Sequence, residues 1–97
     1  MLNYKLEEFK LVNGFTETIK TIKEFTSKKS EIDQNEEVLI EEFNQILKDL
    51  EITNETDDYP FVVDLDEIEA IITMDTYYET NDDGEDITIK VKLTIYK

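Results

Sequence analysis

The sequence contains no cysteine, no histidine and no arginine among its 97 residues. Without cysteine, the chain forms no disulfide and offers no thiolate to a metal. Without histidine, it lacks the commonest general base and the commonest transition-metal ligand. Without arginine, it lacks the side chain that holds phosphate or carboxylate groups with two parallel hydrogen bonds. These absences predict a protein that is not an enzyme and that has no cofactor and no metal site.

Glycine and long apolar runs are also scarce. Gly14 and Gly84 are the only glycines, so no glycine-rich loop is present to hold a phosphate. No apolar run approaches the roughly 18 residues of a membrane-spanning helix, and the first residues lack the apolar core of a signal peptide. The low content of Gly, Ala, Pro and Arg is typical of AT-rich bacterial, phage or plasmid genes. We therefore expect a single domain over residues 1–97, located in the cytoplasm of a bacterial host cell.

What the chain has in excess is negative charge, with a formal net charge of −15. Residues 1–30 carry six lysines and four glutamates, residues 31–86 carry 21 acids and one lysine, and residues 87–97 carry three lysines and no acid. Such a field repels nucleic acid and anionic membranes, and it speeds association with basic surfaces. The charge therefore predicts a basic protein partner, without direct binding to nucleic acid or membrane. The alternative is an acidity that serves only solubility.

The strongest structural signal is a β-hairpin between residues 67 and 97. Two runs that alternate apolar and polar residues flank a polar segment with an Asp-Gly pair, which is typical of hairpin turns. Two registers keep apolar residues opposite each other: a two-residue turn pairs Met74 with Leu93, and a four-residue loop pairs Met74 with Val91. The predicted core face of the hairpin is Ile68, Ala70, Ile72, Met74, Tyr78, Ile87, Ile89, Val91, Leu93 and Ile95.

The amino-terminal third permits two interpretations. Residues 2–12 alternate with one break and favour a strand that contains a bulge, with a helix as the alternative. After an Asn-Gly pair, Phe15, Ile19 and Ile22 follow the i, i+4, i+7 spacing of a helix. The sequence therefore favours a helix over residues 15–26, with a hairpin across the Asn-Gly pair as the alternative.

The clearest helix covers residues 34–51, where apolar side chains form one broad stripe. Asp33 is its predicted N-cap, and Glu36 completes a capping box. Residues 61–65 follow as a short strand or as an extended lead-in to the hairpin. Together these elements predict an α+β fold, a small two-layer domain with two helices packed on a short antiparallel sheet built around the carboxy-terminal hairpin.

One metal-site pattern occurs among the acids, and it is incomplete. Glu79, Asn81, Asp83 and Gly84 fall at positions 1, 3, 5 and 6 of an EF-hand loop, but position 12 is Lys90 instead of a glutamate. Paired carboxylates occur throughout the chain, without the shaped cleft that acid–base catalysis needs. The sequence therefore predicts no metal ligand and no catalytic residue.

The candidate partner-binding residues are acids of the hairpin and of the loop before it, together with one tyrosine. Alternation places five of them on the outer face of the predicted hairpin, and four acids extend the row around the turn. Aromatic side chains are enriched at interface hot spots, so the tyrosine belongs to the set. The complete set is Asp57, Asp58, Glu67, Glu69, Asp75, Tyr77, Glu79, Asp82, Asp83, Glu85 and Asp86.

In size, charge and composition the whole chain resembles small acidic phage or plasmid inhibitors that mimic DNA, among them anti-CRISPR proteins, anti-restriction proteins and uracil-DNA glycosylase inhibitors. The resemblance rests on no family motif and transfers no residue roles. It implies a non-enzymatic inhibitor that binds the basic nucleic-acid site of a host enzyme, such as a Cas effector. Two alternatives stay open: an immunity protein that neutralises a nuclease toxin, and a small structural or regulatory phage protein.

Overall fold

The fold is one antiparallel sheet with a single helix on one face, seen in a computed structural model that describes residues 1–52 and 61–97. In chain order, the elements are β1 (Leu2–Val12), β2 (Phe15–Ser27), α1 (Glu36–Asp49), β3 (Val62–Leu65), β4 (Glu69–Thr80) and β5 (Asp86–Tyr96). The strands lie side by side in the order β2-β1-β5-β4-β3, and all neighbouring pairs are antiparallel. The predicted α+β class agrees with this architecture, but the described residues form one helix instead of two.

The prediction of a helix over residues 15–26 is wrong, because these residues belong to strand β2. Asn13 and Gly14 form a two-residue turn, with φ angles of 52° and 83°. Asn and Gly adopt this left-handed conformation more readily than other residues. The turn brings Phe15 opposite Val12, so β1 and β2 form the hairpin that the sequence allowed as the alternative. Several threonines in the segment favour a strand over a helix, since they are branched at Cβ.

Helix α1 is capped by a different residue from the one predicted. Asn35 is the N-cap, and its Oδ1 accepts a hydrogen bond from the backbone N–H of Glu37 at 3.0 Å. Asp33 instead accepts from the backbone N–H of Asn35 at 2.8 Å and shapes the approach to the helix. The side chains that the helix buries are Leu39, Phe43 and Leu47.

The core lies between α1 and one end of the sheet. Its buried apolar side chains are Leu2, Tyr4, Leu6, Ile32, Leu39, Phe43, Leu47, Ala70, Ile72, Met74, Val91, Leu93 and Ile95. Beyond these positions the strands run on to two hairpin turns, and their residues are half-buried or exposed. We call this part, residues 9–19 and 77–89, the distal end. It makes the molecule elongated, with extents of 48 × 24 × 23 Å.

Strand β4 contains a bulge that changes which side chains face the helix. Met74 lies opposite Val91, as in the predicted four-residue-loop register, but Thr76 is an extra residue and Tyr77 lies opposite Ile89. Thr76 is buried, and its hydroxyl donates to the carbonyl oxygen of Ile89 at 3.4 Å. An inserted residue reverses the alternation of a strand from that point on. Side chains after the bulge therefore lie on the faces opposite to those predicted.

Two residues predicted for the core are exposed. Tyr78 is 48% exposed, because the bulge turns it to the sheet face opposite α1, where it pairs with Thr88. Ile68 is 67% exposed, because it lies in the turn that precedes β4, where strand alternation does not apply. The alternation predicts the core correctly between residues 70 and 74 of β4 and between residues 91 and 95 of β5, whereas Ile87 and Ile89 are half-buried outside the core.

Tyr4 joins the sheet to α1 through a partly buried hydrogen bond. Its hydroxyl donates to Oε1 of Glu42 at 2.5 Å, and its ring stacks on Phe25 with the centroids 4.7 Å apart. Burial of the hydroxyl raises the pKa of Tyr4 well above its ordinary value, and the hydrogen bond and negative charge of Glu42 raise it further. The folded protein therefore holds this proton more tightly than the unfolded chain does.

The raised pKa of Tyr4 predicts a loss of stability in alkali. The contribution of the protonated Tyr4 hydroxyl to the free energy of unfolding is fully present below the unfolded pKa of about 10, and it decreases as the pH rises above that value. We expect the free energy of unfolding of Tyr4→Phe, measured by urea denaturation, to fall less steeply above pH 10 than that of the unmodified protein. Tyr96→Phe, which changes an exposed tyrosine, is the control. Its free energy of unfolding should fall as steeply as that of the unmodified protein. Equal slopes for Tyr4→Phe and the unmodified protein would contradict this account.

Candidate functional site

One long edge of the sheet is acidic. Residues 61–86, which contain β3, β4 and the turn before β5, carry ten acids and no lysine. Because β3 and β4 are the last two strands on one side of the sheet, these acids gather along one side and around the distal turn. We call this surface the acidic edge. Its members are Asp64, Asp66, Glu67, Glu69, Asp75, Glu79, Asp82, Asp83, Glu85 and Asp86.

The opposite edge of the sheet is close to neutral. Strand β2 carries two acids and two lysines, Glu17, Lys20, Lys23 and Glu24. Glu17 also forms an ion pair with Lys10 of β1, at 3.5 Å. The remaining lysines of the sheet lie on β1 and on β5, which pair with each other in its centre. The charge of the sheet is therefore polarised across its width.

The bulge in β4 divides the outer face that the sequence predicts. Glu69 and Asp75 lie on the sheet face opposite α1, as expected. Tyr77 lies on the helix side of the sheet, because it pairs with Ile89, which is on the same face of β5 as the buried Val91. Glu79, two residues later, lies on the same side. The Tyr77 hydroxyl donates to Oε2 of Glu79. The prediction that all these side chains share one face is therefore wrong.

The remaining predicted residues outside the distal turn lie before β4. Glu67 is exposed in the turn between β3 and β4. Beside it, Oδ1 of Asp66 accepts from two backbone N–H groups of the same turn, both at 2.8 Å, and so fixes its shape. Asp57 and Asp58 lie outside the described residues.

The turn between β4 and β5 is an acidic loop of fixed shape. The backbone N–H of Asn81 donates to the carbonyl oxygen of Glu85 at 3.0 Å, and Oδ1 of Asn81 accepts from the N–H groups of Asp83 and Glu85 at 3.0 and 2.9 Å. Gly84 has a φ of 80°, the left-handed conformation that three-residue hairpin loops require. The loop proper is therefore Asp82-Asp83-Gly84, intermediate in length between the two predicted turns.

The two hairpin turns of the distal end are bonded to each other. The backbone N–H of Asn13 donates to the carbonyl oxygen of Asp86 at 2.7 Å, and the N–H of Asp86 donates to Oδ1 of Asn13 at 2.9 Å. The Asp86 carboxylate accepts from the hydroxyls of Tyr78 and Thr80 at 3.1 and 2.9 Å. Sequence reasoning did not assign Asn13, Thr80 or Asn81 to the site. For the two asparagines, the signal in the sequence is that both stand at the glycine-containing turns.

The carboxylates of the acidic edge differ in their availability. Asp75 forms an ion pair with Lys90 at 3.7 Å, and Glu79 accepts from Tyr77. Glu85 and Asp86 hold the distal turn, and Asp66 holds the turn before β4. Five carboxylates take part in no hydrogen bond or ion pair with the rest of the described chain and are available to a partner: Asp64, Glu67, Glu69, Asp82 and Asp83.

The described residues contain no group of three His, Cys, Asp or Glu side chains that could hold a metal ion. No helix within residues 1–52 and 61–97 is long and apolar enough to cross a membrane. Comparison with known proteins identifies no relative, since no protein family, no curated protein and no solved structure matches the chain. The acidic edge is therefore the main guide to function.

The acidic edge predicts that added salt stabilises the fold. Ten negative charges without a lysine repel each other at low ionic strength, and salt screens this repulsion as the Debye length falls to about 8 Å at 0.15 M. We expect the melting temperature to rise by about 4–8 °C between 10 and 150 mM NaCl, which corresponds to about 1 kcal/mol for a domain of this size. The variant Asp82→Asn/Asp83→Asn should show a smaller rise. A melting temperature that is independent of salt would count against the repulsion.

Proposed function

We propose that the protein is a non-enzymatic inhibitor, encoded by a phage or plasmid, that occupies the basic nucleic-acid-binding site of a host enzyme as a DNA mimic. The observation that supports this most directly is the acidic edge, which carries ten acids and no lysine. A Cas effector or a restriction enzyme in the bacterial cytoplasm is the class of partner that such a surface fits. Cas effectors, for example, hold nucleic acid in a positively charged channel.

The length of the acidic edge is comparable with one turn of duplex DNA. Strand β4 has 12 residues, so it extends for about 40 Å at roughly 3.4 Å per residue. One turn of B-DNA is about 34–36 Å long and carries about 20 phosphates. The acidic edge therefore offers about half the charge of the duplex over a similar length. This is about the charge that one of the two strands carries over that length.

The acidic edge contributes to binding in two ways. Its field steers a basic partner towards it and raises the association rate by about 10–10³. Its available carboxylates accept charge-assisted hydrogen bonds from lysine and arginine side chains that otherwise bind phosphate. Both contributions weaken as salt is added, so binding should be salt-sensitive.

A plaque assay tests the proposed function. The chain is expressed in bacterial strains that each carry one CRISPR–Cas or restriction system, and each strain is challenged with a phage that its system targets. We expect plaquing to rise by orders of magnitude in at least one strain, and we expect the purified effector of that system to lose its DNA when the chain is added. The variant Asp82→Lys/Asp83→Lys should fail in both assays.

Two results would contradict the proposal. The first is plaquing that stays at background in every strain, with no DNA displaced from any purified effector. The second is protection of cells against a nuclease toxin without an effect on plaquing, which would identify the chain as an immunity protein.

A further inference from the structure

Phe15 is a large apolar side chain that the fold leaves in water. It is 79% exposed and stands at the first position of β2, directly after the Asn-Gly turn. Its neighbours across the sheet are Val12 of β1 and Ile87 of β5, and both are half-buried. Because residues paired in register share a face, these three side chains form one row on the helix side of the distal end. We call them the distal apolar row.

The distal apolar row does not serve the core. None of its members belongs to the buried cluster or packs against it. A phenylalanine ring that stays in water gains none of the stabilisation that burial brings. An apolar surface that adjoins polar binding groups is typical of an interaction site, and aromatic rings at such sites often act as anchors.

The distal apolar row adjoins the acidic loop. Ile87 follows Asp86 in β5 and pairs with Glu79 of β4. Neighbouring strands are about 4.8 Å apart, so Phe15 lies about 10 Å from Ile87 and about 15 Å from Glu79. The hydrogen bonds between Asn13 and Asp86 hold the row and the loop in a fixed relation. One partner site can therefore contact both.

Charge selects the kind of partner that fits the distal end. The acidic loop carries the available carboxylates of Asp82 and Asp83, and Lys10 at this end is engaged by Glu17 at 3.5 Å. A second copy of the chain would bring two acidic loops together and would be repelled. An anionic membrane surface would be repelled for the same reason. A basic protein site with an aromatic wall complements both the charge and Phe15.

We infer that the distal end binds a site that normally holds single-stranded nucleic acid, with the acidic loop at phosphate positions and the ring of Phe15 on a base-stacking platform. The inference rests on the proposed function and adds which form of nucleic acid is mimicked. Sites for single strands combine a positively charged groove with aromatic side chains on which bases stack. A site that reads only the duplex backbone offers charge without a complement to Phe15.

The variant Phe15→Ser tests this inference on the effector that the plaque assay identifies. The dissociation constant of the purified effector for the chain is measured at 50 and 200 mM NaCl. We expect Phe15→Ser to weaken binding by roughly 5- to 150-fold, the range that corresponds to loss of one base–aromatic stack, and by a similar factor at both salt concentrations. Phe15→Tyr keeps the ring and should retain the affinity. Ile19→Ser is the matched control, since Ile19 is 59% exposed on the same strand but lies on the other face.

Competition with nucleic acid provides a second measurement. A single-stranded oligo(dT) should displace the chain from the effector at a lower concentration than a duplex of the same length. Equal displacement by the duplex, or unchanged affinity of Phe15→Ser, would overturn the inference. The proposed function would still stand if Asp82→Lys/Asp83→Lys lost inhibition in the same assays. If no effector is inhibited by the unmodified chain, the proposed function and the inference are both wrong.

Discussion

Replacing Asp82 and Asp83 with lysine is expected to weaken partner binding by about a hundredfold, with complete loss of inhibition. Both carboxylates are available in the acidic loop, and each reversal replaces an attraction with a repulsion. Close charge pairs across an interface have coupling energies of about 1.5–7 kcal/mol, so even the lower value at both sites gives a hundredfold change in the dissociation constant. The loss of affinity should be larger in 50 mM than in 200 mM NaCl, since salt screens the charges.

The choice of these two acids follows from the hydrogen bonds of the turn. Glu85 accepts from Nδ2 of Asn81 at 3.1 Å, and Asp86 accepts from two hydroxyls of β4. Reversal of Glu85 or Asp86 would therefore disturb the loop as well as its charge. The pair Asp82 and Asp83 changes the charge alone, and its melting temperature should be at least that of the unmodified chain.

A matched variant separates the acidic edge from the total charge of the chain. Glu24→Lys/Glu41→Lys changes the net charge by the same amount, but Glu24 lies on β2 and Glu41 on the outer side of α1, and both are exposed. We expect this variant to bind the partner with a loss of no more than a few fold. A loss as large as that of Asp82→Lys/Asp83→Lys would mean that net charge, and not the acidic edge, determines binding.

Truncation of Phe43 is expected to remove a large part of the stability of the domain. Phe43 is fully buried in α1 and contacts Phe61 edge to face, with the centroids 5.8 Å apart. Replacing a buried phenylalanine with alanine costs about 3–5 kcal/mol, because the side chain loses its burial and leaves a cavity. The total free energy of unfolding of a small domain is about 5–15 kcal/mol. Urea denaturation should therefore show a much lower midpoint for Phe43→Ala, with little change in slope.

Phe15→Ala removes the same ring from an exposed position and is the control for this measurement. Its free energy of unfolding should stay within about 0.5 kcal/mol of the unmodified protein, as is usual for surface substitutions. A small effect of Phe43→Ala would show that α1 does not seal the core. A large effect of Phe15→Ala would show that the distal apolar row stabilises the fold, and it would weaken the case for Phe15 as a binding residue.

The carboxy-terminal hairpin could be predicted because its alternation is regular where the core requires it. Between residues 70 and 74, and between 91 and 95, every second side chain is buried under α1, so a shift of register would expose the apolar set. The bulge could not be predicted in the same way. Threonine is common in strands, so the local sequence does not mark Thr76 as the extra residue. It is extra because of the way β4 pairs with β5, in which its hydroxyl bonds to Ile89, 13 positions away.

The error in β2 also has a physical origin. Strand β2 has two irregularities in its pairing with β1, and each one interrupts the period of two. Phe15, Ile22 and Phe25 therefore lie on the helix side at spacings of seven and three, which are also the spacings of a helical face. In an edge strand with little burial, the hydrophobic pattern is too weak to distinguish the period of a strand from that of a helix.

The candidate site could be predicted in composition but not in arrangement. The excess of acids between residues 61 and 86 is visible in the sequence, and so is the glycine at the loop. The grouping along one edge depends on β1 pairing with β5, which leaves β3 and β4 on the outside. The availability of Asp82 and Asp83 depends on Asn81, whose side chain holds the loop in place of the carboxylates.

The pairing of β1 with β5 has a consequence for the rate at which this protein folds. The central ladder joins residues separated by 75 to 93 positions, whereas the β1–β2 hairpin closes across two residues. Loop closure over such distances costs entropy before any contact compensates for it, so topologies of this kind fold in milliseconds to seconds. During synthesis, β5 is the last strand to emerge from the ribosome. Until then β1 and β4 have no strand between them, and the edge of each that pairs with β5 has no hydrogen-bonding partner from that strand.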